Sequence, residues 1–260
     1  MSHHRDIWAA ALELTDRGVD FVMITVIGAA GSTPRDPGAA MLWQPDTGFI
    51  GTVGGGQFEQ LVLDAAETHY QQQTSGMEHY TLGADADQCC GGTMDVFFEY
   101  VGPRRTVVLF GAGHVAFEVA RLLEAAPVRT VIVDDRAEWN TEARFPRAQR
   151  VHDWAGGVAA CRERKDETLA CVMTCSHDTD FDLLREILRD PPAFVGLIGS
   201  RSKRACLFGR LVASGIDEDV VKRVHCPIGV GDTGKAPALV AVSIAAQILM
   251  EVRRADAGRS

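Results

Sequence analysis

The chain has 260 residues, 46% of them hydrophobic and 23% charged, a composition and length that bury a core without help from metal or disulfides. Its net charge of −9 argues against non-specific binding to nucleic acid or to an anionic membrane, both of which need a basic face. No apolar run approaches the length of a membrane span. The length suits one large or two modest domains. The start, MSHHRDIWAAALELTDRG, reads as an amphipathic helix and lacks the features of a signal peptide. The seven cysteines (89, 90, 161, 171, 175, 206 and 226) are odd in number and scattered, which points to a reducing, cytoplasmic setting.

Residues 19–28 form an apolar, β-branched run and predict a strand. GAAGSTPRDPGA (28–39) spells a loop. AAMLWQ predicts a second strand, PDTG a turn, and FIGTVGGG a third strand ending in glycines. QFEQLVLDAAETHYQQQ is helical, with residues 58, 61, 62, 65 and 66 on one face. Two more strands are expected near 78–83 and 93–101. This half reads as a small α+β domain, 1–102. VGPRR (101–105) is a linker, because Pro103 interrupts helix and sheet pairing alike.

The pattern then changes. TVVLFGAG (106–113) is an apolar strand running into glycines, 114–126 a helix, and RTVIVDDR (129–136) another strand. ETLACVMTCSH (167–177) predicts a buried strand followed by a helix over 180–189. AFVGLIGS (193–200) is a strand followed by a helix over 201–213, and a long helix over 235–253 closes the chain. Apolar strands alternating with helices predict a Rossmann-like, doubly wound parallel sheet over 103–260.

GAGHVA, with Gly111, Gly113 and Ala116, fits G-x-G-x-x-G/A and would seat a phosphate at the helix start. Asp134 ends the next strand about 20 residues after Gly113, where a ribose-binding carboxylate belongs. The same pattern also arises as a tight turn kept for packing. His114 lies in the glycine loop as a turn residue or an anion donor. Ligands of such a sheet bind outside the carboxyl ends of its strands. Residues expected there include Asp134 and Asp135, then Ser176, His177 and Asp178, then Ser200, Arg201, Lys203 and Arg204. The last group opens a helix and forms a candidate anion site, or an ordinary solvated helix start. Cys171, Cys175 and His177 on one straight strand would spread over roughly 20 Å and cannot share a zinc ion.

In the first half, Gly54, Gly55 and Gly56 run into a helix and offer a second nest of amides, or a structural turn. Arg35 can pair with an oxyanion. QCCGG (88–92) sets Cys89 beside Cys90. Adjacent cysteines make poor disulfides, so the pair is either strand filler or a contact for something soft. HCPIG and GVGDTGKAPA precede the last helix and read mainly as cap chemistry.

GSTPRDPGA, GTVGGGQFE, QCCGG, VVLFGAGHVA, VMTCSH, VGLIGSRSKR and HCPIG…GKAPA, in order from about residue 20 to 250, together resemble the XdhC/CoxI family of xanthine dehydrogenase accessory proteins. The resemblance implies a carrier without turnover of its own. Such a carrier binds the molybdenum cofactor (molybdopterin), holds it while a cysteine desulfurase supplies its sulfido ligand, and passes it to a molybdenum hydroxylase such as xanthine dehydrogenase. It also implies a homodimer, with an N-terminal XdhC/CoxI region and a C-terminal Rossmann region. In that setting the glycine loops and the Arg201–Arg204 cluster receive the cofactor phosphate. Cys89 and Cys90 touch the molybdenum or its sulfur, with Gly91 and Gly92 letting a bulky ligand come close. The alternative is an NAD(P)-dependent oxidoreductase built on the Rossmann half. A stand-alone thiol-redox or metal protein is disfavoured by the lack of C-x-x-C spacing.

Overall fold

A computed structural model describes residues 2–85, 91–103 and 105–257. The chain divides into two compact units, Met1–Gly102 and Pro103–Ser260.

The N-terminal unit contains α1 (Ser2–Asp16), β1 (Phe21–Ala30), β2 (Ala40–Gln44), β3 (Gly48–Gly51), α2 (Gly56–Gln72), β4 (Gly76–Thr81), a short α3 (Leu82–Asp85) and β5 (Thr93–Val101). The strands form one antiparallel sheet in the order β3-β2-β1-β5-β4. Antiparallel strands usually alternate apolar and polar residues, yet β1 is apolar almost throughout. The reason is that both of its faces are covered. Val22, Ile24 and Val26 pack in the cluster containing Phe58, Val62 and Ala66 of α2. Phe21 and Met23 pack with Ile7, Ala11 and Leu14 of α1. The period of two sends alternate side chains to opposite helices. In α2, Phe58, Val62 and Ala66 recur every fourth residue and form the buried stripe.

The C-terminal unit contains β6 (Arg105–Phe110), α4 (His114–Leu123), β7 (Val128–Val133), β8 (Gln149–Val151), α5 (Trp154–Glu163), β9 (Thr168–Val172), α6 (His177–Ile187), β10 (Phe194–Leu197), α7 (Arg201–Ala213), α8 (Glu218–Lys222) and α9 (Pro237–Ala257). Its five strands are all parallel, in the order β10-β9-β6-β7-β8. This is the expected Rossmann-like doubly wound sheet. Helices α4 and α9 cover one face through Val119, Leu123, Ile244 and Ile248. Helices α5, α6 and α7 cover the other through Val158, Leu184 and Leu207. Strands β6, β9 and β10 are buried along their whole length, which is why they read as unbroken apolar runs.

Among the boundaries that differ from the sequence reading, two bear on the site. The strand expected over 167–177 stops at Val172, and α6 begins at His177 rather than residue 180. Cys175 and His177 therefore lie in a turn and at a helix start, not on one strand with Cys171. Beyond the end of the strand, Thr174 Oγ1 donates to Asp180 Oδ1 (2.7 Å), while Ser176 caps α6 by accepting from Thr179 N (3.3 Å). No helix among the described residues is long and apolar enough to cross a membrane.

Candidate functional site

The chain order of the parallel sheet reverses between β6 and β9. The loops that leave these two strands, 111–113 and 173–176, therefore border the crevice where open α/β sheets bind ligands. The loops touch. A Cβ on Gly111 would lie 2.6 Å from the Met173 carbonyl oxygen, and Gly111 has φ +108°. Gly113 caps α4 without a side-chain cap bond, at φ −69°. A Cβ there would meet nothing within 4 Å. Gly111 thus serves the fold, whereas Gly113 leaves open space above the first amides of α4, the place where a phosphate would sit.

The glycine loop is held from below. Ala112 N donates to Asp134 Oδ2 (2.6 Å), and Arg144 Nη1 donates to Ala112 O (2.8 Å). Arg136 donates to Asp134 Oδ1 through its backbone N (3.0 Å) and Nε (2.9 Å), and to Oδ2 through Nη2 (2.7 Å). Asp134 is fully buried. Burial pushes its pKa up, but the Arg136 side chain and the backbone donors of Ala112 and Arg136 outweigh this and hold it below the ordinary value. This corrects the ribose-binding role expected of Asp134. Both its oxygens are engaged inside the protein, and its work is to brace the loop. Arg136 and Arg144 lie over the Trp139 ring at 5.1 and 4.8 Å, and exposed His114 meets the ring edge-on at 5.3 Å.

A folded-state pKa below the unfolded one contributes stability that is complete above the ordinary carboxylate range and fades as pH falls through the folded value. Asp134→Asn should therefore cost about 2–3 kcal/mol at pH 7. The gap from the parent should narrow below about pH 4. Urea unfolding at pH 7, 5 and 3 measures both. A gap that stayed constant with pH would remove the carboxylate from the account.

The opposite loop is braced by a second buried acid. Asp180 Oδ1 accepts from Thr174 N (3.2 Å) and Oγ1 (2.7 Å), while Oδ2 pairs with Lys203 Nζ. Lys203 also donates to Ile198 O (3.0 Å). This corrects the reading of Lys203 as part of an anion cluster. It is turned inward, with its side chain 10% exposed, against a carboxylate with no exposure. Ser200 is the N-cap of α7, accepting from Lys203 N (3.1 Å). Arg201 and Arg204 stay exposed, the latter over Phe208 at 5.0 Å.

His177 is exposed at the start of α6, and Cys175 is exposed beside it. Burial pushes the Cys161 thiol up to about 12 and that of Cys171 higher still, so these two stay protonated and inert. Cys175 instead is exposed on the loop that borders the crevice. Sequence reasoning weighed Cys175 as a zinc ligand or as a small hydrophobe in a buried strand, whereas it is exposed, and missed Arg136, Trp139 and Arg144. The signal for Arg136 was the D-D-R order, an arginine two residues beyond the strand-end acid.

In the N-terminal unit three glycine-containing stretches meet at one end of the sheet. A Cβ on Gly54 would lie 2.9 Å from Pro34 Cγ, and one on Gly31 would lie 3.1 Å from Gly92 Cα. Leu82 N donates to Gly92 O (3.0 Å). Gly55 starts α2 without a side-chain cap. Glu59 instead accepts from Thr52 Oγ1. Arg35 is exposed on the adjoining loop. Cys89 and Cys90 lie outside the described residues. They directly precede Gly91 and Gly92 in the chain.

Residues 107–248 match the XdhC Rossmann domain, and residues 14–81 match the XdhC and CoxI family. The chain is 30% identical over 260 residues to the Escherichia coli (strain K12) protein YqeB, described as uncharacterized, covering 97% of this chain and 47% of that protein. It is 24% identical over 165 residues to a Bacillus subtilis (strain 168) protein described as a probable xanthine dehydrogenase component, covering 62% of this chain and 47% of that protein. The chain thus spans about half the length of these curated relatives. A solved structure described as a xanthine dehydrogenase from Bacillus halodurans shares the fold, with 21% identity, a TM-score of 0.50 and 96% of each chain covered.

Proposed function

The chain belongs to the XdhC and CoxI family, and from that premise we propose that it is an accessory protein in the maturation of a molybdenum hydroxylase of the xanthine dehydrogenase kind. It holds the molybdenum cofactor while a cysteine desulfurase supplies the sulfido ligand, and then delivers it to the client enzyme. When bound, the cofactor brings a phosphate-bearing pterin dithiolene and a soft metal centre. The observation that carries the reading is the pairing of an open phosphate cradle with an accessible thiol across one crevice. A Cβ at Gly113 meets nothing, and Cys175 is exposed on the facing loop.

These residues suit the cofactor. The first amides of α4 receive the phosphate, with His114 as a further donor. Cys175 offers sulfur to a soft metal. His177, at the start of α6, lies beside it. Cys89, Cys90, Arg35 and Gly54–Gly56 belong to the same proposal within the N-terminal unit, as further thiols and anion donors. The occupied carboxylate of Asp134 weighs against the NAD(P)-dependent reading, since a ribose hydroxyl would have to displace Arg136.

The test is to incubate the purified protein with freshly released molybdenum cofactor, gel-filter it, and assay the protein peak for molybdenum and pterin fluorescence. Co-elution is expected. Gly113→Asp should abolish it, and Cys175→Ala or the Cys89→Ala/Cys90→Ala pair should lower retained molybdenum more than retained pterin. A folded parent protein that carries neither molybdenum nor pterin would overturn the carrier reading. Binding of NADH by that same protein would then favour the oxidoreductase.

A further inference from the structure

The HCPIG segment takes no part in the glycine-loop crevice. We propose that it builds a second binding site, for a small molecule bearing a phosphate or diphosphate, along the open edge of the C-terminal sheet. This inference does not rest on the cofactor reading.

His225 forms a parallel bridge with Gly196. His225 N donates to Val195 O (2.9 Å), Leu197 N to His225 O (2.9 Å) and Ile228 N to Leu197 O (3.0 Å). Residues 225–228 thus extend the sheet beyond β10. Beside this added edge lies a cavity of about 710 Å³, with walls from Phe194, Arg204, Arg223, His225, Cys226 and Gln247. That volume is in the range of small-molecule pockets. A smaller hollow of about 410 Å³ shares Arg204, Cys226 and Pro227 with it and adds Arg201.

The charge in the cavity runs against that of the chain as a whole. Arg204 and Arg223 have no carboxylate partner among the described residues. Lys222, also in the wall, is engaged by Glu218 (2.9 Å) and Asp219 (3.6 Å). Asp166 is the acidic side chain of the lining. Two unpaired guanidinium groups on one cavity suit an anion with several acceptor oxygens, which they grip in forked fashion.

The histidine is prepared for the same task. Gly229 N donates to Gln247 Oε1 (2.5 Å), which fixes the amide orientation and turns Gln247 Nε2 toward His225 Nδ1 (3.0 Å). An amide nitrogen only donates, so Nδ1 accepts and Nε2 carries the proton. The ring therefore offers an N–H donor to a ligand. Phe194 stacks on it at 4.7 Å and holds its plane. A planar group on the ligand would find this ring pair beside the arginines.

Calorimetric titration of the full chain with inorganic pyrophosphate and, separately, adenosine monophosphate tests the proposal. Saturable binding of at least one probe is expected. It should weaken tenfold or more in Arg204→Ala/Arg223→Ala, weaken several-fold in His225→Ala, and persist in Gly113→Asp. Preference for the nucleotide would identify a phosphate ester as the ligand class, and preference for pyrophosphate a free anion. Absence of saturable binding for both probes would overturn the site. So would binding unchanged in the double arginine variant, or lost in Gly113→Asp alone. The Gly113→Asp arm separates this site from the cofactor crevice, so either proposal can fail without the other.

Discussion

Gly111→Ala is expected to destabilise the protein by about 3 kcal/mol, whereas Gly113→Ala is expected to leave stability within about 0.5 kcal/mol of the parent. Both glycines belong to one fingerprint, and the structure separates their roles. At Gly111 a methyl group would lie 2.6 Å from the Met173 carbonyl oxygen and 3.2 Å from Thr174 Cα, and the backbone has φ +108°. Left-handed strain and a backbone collision add, and the loop cannot retreat, because Gly111 N is bonded to Val133 O (2.7 Å) and Ala112 N to Asp134. At Gly113 the backbone is ordinary and the space is empty. Thermal unfolding should show a fall of about 6–12 °C for the first variant and almost none for the second. Loss of cofactor retention in a fully stable Gly113 variant would then report on the ligand and not on the fold. Equal Tm values for the two variants would refute this division of labour.

Lys203→Ala is expected to cost about 3–5 kcal/mol, the usual penalty for leaving one member of a buried ion pair alone. Asp180 has no exposure, and Lys203 supplies its charged partner. Thr174 continues to donate to Asp180 Oδ1, but a hydroxyl and an amide do not neutralise a buried carboxylate. Removing the charge as well, in Asp180→Asn/Lys203→Met, should recover much of the loss. Arg201→Ala, on the same helix turn but exposed, should change stability by less than about 0.5 kcal/mol. Urea unfolding of the four proteins decides the matter. A cost below about 1 kcal/mol for Lys203→Ala would return Lys203 to the anion-binding role that its neighbours suggested.

Much of the fold was legible because burial leaves a periodic mark. Strands β6, β9 and β10 are covered on both faces, so they appear as apolar runs, and the helices between them carry a stripe every three or four residues. Helix α5 and strand β8 escaped this reading. WAGGVAACRE holds two glycines that weaken a helix in isolation, and QRV is too short to show alternation. Packing supplies the missing reason for α5. A Cβ on Gly157 would lie 2.5 Å from Val133 Cγ1 and 2.8 Å from Phe110 Cε1, so the glycine lets the helix lie close on the sheet, and its propensity cost is met by that contact.

The residue types around the crevice were also legible: the glycine fingerprint, the strand-end acid, and a basic helix start after β10. Local pattern determines which backbone makes a turn and which residues lie near the carboxyl ends of the strands. It does not determine which neighbour a charged side chain chooses. Arg201, Lys203 and Arg204 share one helical turn, and only the packing of α7 beside α6 sends Lys203 inward to Asp180 while the arginines stay in water. Asp134 stands where a ribose acid would stand, and only the turn that follows brings Arg136 back onto it. The same holds for HCPIG, which by itself resembles a cap. Its histidine becomes a fixed donor beside a basic cavity only when α9 places Gln247 against it. The Lys203–Asp180 and Gln247–His225 pairings join residues more than 20 apart in the chain, and the Asp134–Arg136 pairing, though local, depends on how the chain turns after β7; the free energy of each exists only once the sheet and its helices have been assembled.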